Sequence, residues 1–153
     1  MAKANTFHNR TLTIFSLAAL ALLTGLCSAQ AATITVTGGW FRALPAAVPS
    51  GGYFTVHNGG DAPQTLTGAQ SPACGTLTLH KSMNHGGTAM MEHVNSVDIT
   101  PGGTLAFAPG GYHLMCMDSK PLLKPGASVP VTLSFADGGK VTSNFTVRNA
   151  AGK

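Results

Sequence analysis

The segment Tyr112–Met117 reads Tyr-His-Leu-Met-Cys-Met and places an imidazole and a thioether two residues apart. Alternate side chains of a β-strand point to the same face, so His113 and Met115 would project side by side. Leu114 and Cys116 would then point to the other face. An imidazole nitrogen beside a soft thioether sulfur is a ligand set suited to reduced copper. The pair is therefore the first candidate for a metal site.

Histidine and methionine are concentrated in one part of the chain. Beyond residue 31, nine of the ten His and Met residues lie between His80 and Met117. Filling of the core explains one or two methionines, but it does not explain the polar surroundings of Met83 and His85. Thioether ligands favour Cu(I) over zinc, calcium or magnesium. They also persist in an oxidising compartment, where paired thiols tend to form disulfides.

The first 31 residues have the composition of an export signal. Lys3 and Arg10 precede an apolar run over residues 12–26, and Ala29-Gln30-Ala31 has the small-x-small pattern of a signal-peptidase site. We predict a cleaved signal peptide over residues 1–31, followed by one mature domain over residues 32–153.

Two other interpretations of the N-terminal segment are less well supported. A membrane-spanning helix needs roughly 20 apolar residues, and the run over residues 12–26 is shorter. Cys27 raises the alternative of a lipoprotein, but Leu26 stands where a small residue is expected before a lipidated cysteine.

The composition of residues 32–153 excludes several classes of function. Seven Lys and Arg and five Asp and Glu give a net charge of about +2, and no basic stripe with interleaved aromatic residues points to nucleic-acid binding. The few carboxylates are scattered, and no nucleophile elbow is present, so an enzyme is not expected.

Short alternating runs separated by Gly and Pro predict an all-β fold. The clearest hairpin joins residues 129–135 to residues 141–147 through Asp137-Gly138-Gly139. Residues 82–89 are polar and contain two glycines, which predicts a loop. About eight or nine short strands in one domain indicate an antiparallel β-sandwich.

Two cysteines, Cys74 and Cys116, remain in the mature domain. Export to an oxidising compartment favours a disulfide between them. Two buried free thiols are the alternative, since free cysteine is often part of a core. A bridge requires the two Cα atoms to lie within about 7 Å of each other.

The spacing of His80, Met91, His113 and Met115 resembles the H-x10-M-x21-H-x-M signature of periplasmic copper chaperones of the PCuAC family. The resemblance extends over essentially the whole mature chain, and the segments that also look similar are residues 51–58, Ser71-Pro72 and residues 109–115. It implies a cupredoxin-like β-sandwich that holds one Cu(I) at its rim through these four side chains. It also implies a periplasmic monomer that delivers copper to cytochrome c oxidase, to another copper chaperone or to a further periplasmic acceptor.

Several neighbours of the four implied ligands are open to two interpretations. His93 is two residues from Met91 and is a possible accessory ligand. Met83 and His85 would form a secondary or capture site, or would be exposed loop residues without a metal. Met90 is expected in the core, on the face opposite Met91.

Three further residues lie outside the signature. Met117 shares strand parity with Met115 but is expected to lie too far along the strand. Trp40 and Arg42 would either cover the site or pack near the sheet edge. A His- and Met-rich C-terminal tail, which some PCuAC relatives use for Cu(II), is absent from residues 148–153.

Two other functions compete with a copper chaperone. A cupredoxin electron carrier needs a cysteine thiolate with two histidines and a weak axial methionine. Cys116 follows His113 and Met115 and points away from them by strand parity, which argues against this function. The third possibility is a binding sandwich in which His and Met are incidental.

Overall fold

The computed structural model describes residues 33–153, and these residues form ten β-strands and no helix. In chain order the strands are β1 Ile34–Arg42, β2 Ser50–Asn58, β3 Gln64–Gln70, β4 Thr76–His85, β5 Thr88–His93, β6 Val97–Ile99, β7 Thr104–Phe107, β8 Tyr112–Met117, β9 Ser128–Phe135 and β10 Lys140–Arg148. The predicted signal peptide over residues 1–31 and the alternative of a lipidated Cys27 lie outside the described residues. In the described part of the chain, no helix is long and apolar enough to cross a membrane.

Hydrogen bonds join all ten strands into one sheet, in the order β5-β4-β8-β7-β2-β1-β10-β9-β3-β6, and β8 also pairs with β2. The prediction of an all-β fold is confirmed, but the sheet is mixed rather than purely antiparallel, and it has ten strands rather than about eight or nine. β1 runs parallel to β10, and β7 runs parallel to β8. Alternation of apolar and polar residues reports which face of a strand is buried. It carries no information on the direction of the neighbouring strand.

The open sheet folds over one apolar core, to which every strand except β5 contributes. Phe54 stacks on Phe107 with ring centroids 4.3 Å apart, and Phe145 contacts Phe54 at 5.6 Å. Strands from both ends of the hydrogen-bonded order bury side chains in this core, so the sheet forms a two-layered sandwich. The largest fully buried side chains are Phe41, Phe107, Phe145, Leu66, Leu79, Ile99, Leu114 and Leu133.

β4 and β5 form a hairpin at the edge of the sheet. The prediction of a loop over residues 82–89 is therefore wrong. Gly86 and Gly87 make the turn with φ angles of +60° and +88°, and the Gly87 amide donates to Asn84 Oδ1 at 3.1 Å. Two positive φ angles in a two-residue turn match the twist of a β-hairpin. The sequence does not indicate strands here, because the hairpin tip buries neither face and its residues therefore do not alternate between apolar and polar.

A disulfide joins Cys74, just before β4, to Cys116 on β8, with a Cα–Cα distance of 5.4 Å. The alternative of two free thiols is wrong. Cys116 is fully buried and points into the core. The bridge closes a loop of 42 residues, which in the chain-entropy model stabilises the fold by roughly 4 kcal/mol. It also fixes β8 to the start of β4.

Candidate metal site

Three of the four implied ligands lie on two neighbouring strands, with His80 on β4 and His113 and Met115 on β8. In the antiparallel register of these strands, His80 is directly opposite His113, and Thr78 is directly opposite Met115. Side chains of directly paired residues project from the same face of a sheet. The register therefore places the three donor side chains on one face, whereas Leu114 packs into the core from the other.

Met91 joins this face from β5. Ser82 is directly opposite Met91, and His80 is directly opposite His93. Met91 is therefore diagonal to His80, a separation of roughly 7–8 Å between Cα atoms that long side chains can bridge. His93 lies on the same face, and its ring meets the His80 ring edge-on with centroids 5.4 Å apart.

A pocket of about 190 Å³ lies on this face, and Met91, His113 and Met115 line it. His80 is not part of the pocket lining, but its ring centroid is 5.9 Å from that of His113, which is. The four side chains thus come together at the β5-β4-β8 end of the sheet. We call them, with the pocket, the His/Met site.

A larger groove of about 660 Å³ lies between the end of β3 and the start of β4. Its lining includes Gln70, Ser71, Thr76 and Thr132, and it contains no imidazole, thioether or carboxylate. Cys74 also borders it, but its sulfur is in the disulfide. This groove therefore offers none of the soft donors on which a copper site depends.

The two histidines of the His/Met site present ring nitrogens that a metal could use. His113 Nδ1 lies 3.1 Å from the Gly111 carbonyl oxygen. Donation of the Nδ1 proton to this carbonyl leaves Nε2 with a free lone pair, which is a common arrangement of metal-ligating histidines. His80 Nδ1 is buried and has no hydrogen-bond partner among the described residues. A buried ring nitrogen without a partner carries a cost that a bound metal would remove.

The surroundings of His80 favour its uncharged form. Burial lowers the pKa of His80 below its ordinary value of 6.5, and the nearby His113 and His93 lower it further. Burial disfavours the imidazolium form, and a neighbouring positive charge adds repulsion. A metal ligand must be a neutral imidazole, so His80 is in the required state at neutral pH.

Exposure of the donors rises from β8 to β5. His113 is only 6 % exposed, Met115 and His80 are half-buried, and Met91 is 64 % exposed. The inner donors lie on strands that are anchored in the core, whereas β5 is exposed at every position. The His/Met site is therefore fixed on one side and open to solvent on the other.

Arg42 and Tyr53 complete the wall of the pocket. A β-bulge between Thr37 and Trp40, with Gly38 at φ +63°, shifts the register of β1 against β2. The bulge reverses the alternation, so Phe41 enters the core while Trp40 and Arg42 point outward.

Aromatic stacking holds this wall in place. The rings of Trp40 and Tyr53 have centroids 4.6 Å apart, and the Arg42 guanidinium lies 5.9 Å from each. The Arg148 guanidinium also lies over the Trp40 ring, 4.6 Å from its centroid. Arg42 thus borders the site and Trp40 supports it, which decides the alternatives left open for them. Tyr53 was missed, because nothing in its surroundings suggests a donor set.

The remaining predicted residues lie elsewhere. Met83 is directly opposite Met90, on the face of the hairpin that points away from the pocket. The prediction that Met90 is in the core is wrong, since it is 54 % exposed. His85 pairs with Thr88 next to the turn. Met117 pairs with Thr76 and is absent from the pocket lining, as expected.

Two observations limit the chemistry available to the described residues. Between residues 33 and 153, no three or more His, Cys, Asp or Glu side chains are placed to hold a metal ion. Both cysteines in that range form the disulfide, so they provide no thiolate for the electron-carrier alternative. The donor set at the pocket is therefore imidazole and thioether.

A family model described as "Putative lipoprotein LpqE-like" matches residues 34–147. The chain belongs to the LpqE-like family. A curated relative, "Putative lipoprotein Lxx21020" from Leifsonia xyli subsp. xyli (strain CTCB07), is 32% identical over 124 residues, which cover 80% of this chain and 74% of the relative.

Solved structures similar to this LpqE-like chain include PCuAC domains. The solution structure of CuI-DR1885 from Deinococcus radiodurans is 34% identical with a TM-score of 0.63, covering 80% of this chain and 83% of that chain. The copper-bound PCuAC domain from PmoF2 is 25% identical with a TM-score of 0.63, covering 76% and 92%. The predicted relationship to the PCuAC family and the cupredoxin-like fold are confirmed.

Proposed function

We propose that this LpqE-like chain is an exported metallochaperone that binds one Cu(I) ion through His80, Met91, His113 and Met115. One observation carries the proposal. The register of β5, β4 and β8 puts two imidazoles and two thioethers on one face of the sheet, and Met91, His113 and Met115 line a pocket there. The similar structures that are named as copper-bound support the choice of metal.

The donor set favours Cu(I) over harder cations. Thioether sulfur is neutral, soft and weakly basic, and it combines with imidazole nitrogen in sites for reduced copper. Bound Cu(I) would provide a transferable soft cation, while the protein provides neutral ligands and a fixed geometry. A ligand set without thiolate also holds copper less tightly, which suits a carrier that must release its cargo.

The gradient of exposure suggests how the cargo leaves. Met91 is the most exposed of the four ligands, so it is the ligand that an incoming donor would replace first. His113 and Met115 stay fixed by β8. The exchange forms one copper–ligand bond as another breaks, and the copper remains Cu(I) throughout. The acceptor would be the copper subunit of cytochrome c oxidase or another copper chaperone. The chain would meet it in the periplasm, after the signal peptide has been cleaved off behind Ala31.

The proposal is tested by anaerobic Cu(I) titration of residues 32–153 in competition with a Cu(I) chelator. We expect one tightly bound copper per chain. Loss of an outer-sphere partner of a metal ligand costs roughly 10–100-fold in affinity, so His113→Ala should weaken binding by at least about 100-fold. Met115→Leu keeps the volume and removes the sulfur, and it should cost at least about tenfold.

Met117→Leu is the matched control, because Met117 is on the same strand, 39 % exposed and outside the pocket. It should bind copper like the parent. If His113→Ala and Met115→Leu both bind Cu(I) as tightly as the parent, the proposed function is wrong.

A further inference from the structure

The reverse face of the β4–β5 hairpin carries a second pair of thioethers. Met83 and Met90 are directly opposite each other in the register, so their side chains share one face. Met91 follows Met90 directly and therefore projects from the other face, toward the pocket. Soft sulfur donors thus lie on both faces of this hairpin.

Core packing does not explain this pair. Met83 is 41 % exposed and Met90 is 54 % exposed, and neither belongs to the apolar core. Directly opposite residues of an antiparallel pair have Cβ atoms roughly 4.5–5.5 Å apart. Two flexible thioether side chains at this separation can bring both sulfur atoms to one ion. Cu(I) accepts coordination by two ligands, and thioethers are among its preferred donors.

The next pair of residues along the hairpin adjusts the charge near the two sulfurs. Lys81 is directly opposite Glu92 on the same face. The Lys81 ammonium lies 5.1 Å from the centroid of the Tyr112 ring, so it is directed toward β8. Glu92 is on the edge strand β5, two residues from Met90 and on the same face. The register thus puts one carboxylate on the face that carries the thioethers, and its sign favours a cation.

We infer that Met83 and Met90 form a second, weaker Cu(I) position that receives copper before it enters the His/Met site. The direction of transfer rests on the proposed function, whereas binding at this pair does not. β5 is the edge strand, so an ion can pass around it without crossing the sheet. A bond to the Met91 sulfur forms as the bonds to Met83 and Met90 break. No electron or proton is transferred, and the copper remains Cu(I).

The experiment follows the methyl signals of [methyl-13C]methionine-labelled residues 32–153 by NMR during anaerobic addition of Cu(I). The first equivalent should shift the signals of Met91 and Met115. The second equivalent should shift those of Met83 and Met90 together and leave Met117 in place. Met117 is the matched control, since it is 39 % exposed and has no methionine opposite it.

Variants separate the two positions. Met83→Leu with Met90→Leu should weaken binding of the second equivalent by at least tenfold and leave the first unchanged. His113→Ala with Met115→Leu should weaken the first and leave the shifts of Met83 and Met90. The inference is overturned if the second equivalent leaves Met83 and Met90 unshifted, if it shifts Met117 equally, or if the double leucine variant still binds it as tightly as the parent. If added Cu(I) shifts Met83 and Met90 in the parent but never shifts Met91 and Met115, the proposed function is overturned and the second position is not.

Discussion

His80 and His113 are directly opposite each other on β4 and β8, and their ring centroids are 5.9 Å apart. This pairing connects the buried part of the site to its exposed part. His113 lines the pocket and has its Nδ1 3.1 Å from the Gly111 carbonyl oxygen, whereas the His80 ring also meets the His93 ring toward the sheet edge. A metal ion between the two rings would be held by both strands at once.

The stability of the copper-free protein should decrease in acid through His80. The pKa of this group is lowered below 6.5 in the folded state, so the unfolded chain binds the proton first as the pH falls. The free energy of unfolding is therefore unaffected by His80 above about pH 6.5 and decreases below it. Urea unfolding at pH 7.5 and pH 5.5 measures this decrease. His80→Gln should reduce the pH dependence, and an unchanged dependence in this variant would contradict the assignment.

Arg42 should weaken cation binding at the pocket. Arg42 lines the pocket together with His113 and Met115, and a positive charge near the site repels copper. A partly solvated interaction of this kind is on the order of 1 kcal/mol, so Arg42→Gln should raise Cu(I) affinity by roughly threefold to tenfold. Chelator competition at low salt measures the change. Arg148→Gln is the matched control, because Arg148 lies over Trp40 and outside the pocket. Equal effects of the two variants would argue against a local role for Arg42.

The glycine turn of the hairpin should position Met91. Gly86 and Gly87 have positive φ angles, and a side chain in this region costs roughly 1–2 kcal/mol per residue. Gly87→Val should therefore loosen β5, increase amide hydrogen exchange in residues 88–93 and weaken Cu(I) binding by several-fold. Exchange in residues 112–117 should stay unchanged, since β8 is anchored in the core. Parent-like exchange and affinity in this variant would show that the turn does not position Met91.

The disulfide should contribute to the stability of the fold and have little effect on Cu(I) affinity. Cys116 points into the core, away from the pocket. Removal of a native disulfide from a small domain typically costs about 2–5 kcal/mol. Cys74→Ala with Cys116→Ala should show this loss in urea unfolding, and the folded variant should bind Cu(I) within about threefold of the parent. A much larger loss of affinity would mean that the bridge shapes the site directly.

Much of the site could be predicted from the sequence because its chemistry is local. His113 and Met115 share one strand, and their parity alone places them on one face. The clustering of His and Met then indicates the metal class. The pairing of β4 with β8 is a contact between distant segments, so the meeting of His80 with His113 required the register. The same holds for Arg42, whose outward direction depends on a bulge at Gly38.

The structural predictions that were wrong share a physical cause. Residues 82–89 and Met90 lie on a hairpin whose tip has no buried face, so the apolar pattern that reveals strands elsewhere is missing there. The parallel pairings of β1 with β10 and of β7 with β8 leave no trace in alternation either. Burial leaves a pattern in the sequence, whereas strand direction and unburied strands do not.

X-ray absorption spectroscopy at the copper edge of the one-to-one Cu(I) complex of residues 32–153 identifies the atoms bound to copper, and so tests the His/Met ligand set. We expect a Cu(I) ion with two nitrogen and two sulfur neighbours, and loss of one sulfur neighbour in Met115→Leu but not in Met117→Leu. A first coordination shell without sulfur, or one that Met115→Leu leaves intact, would contradict it.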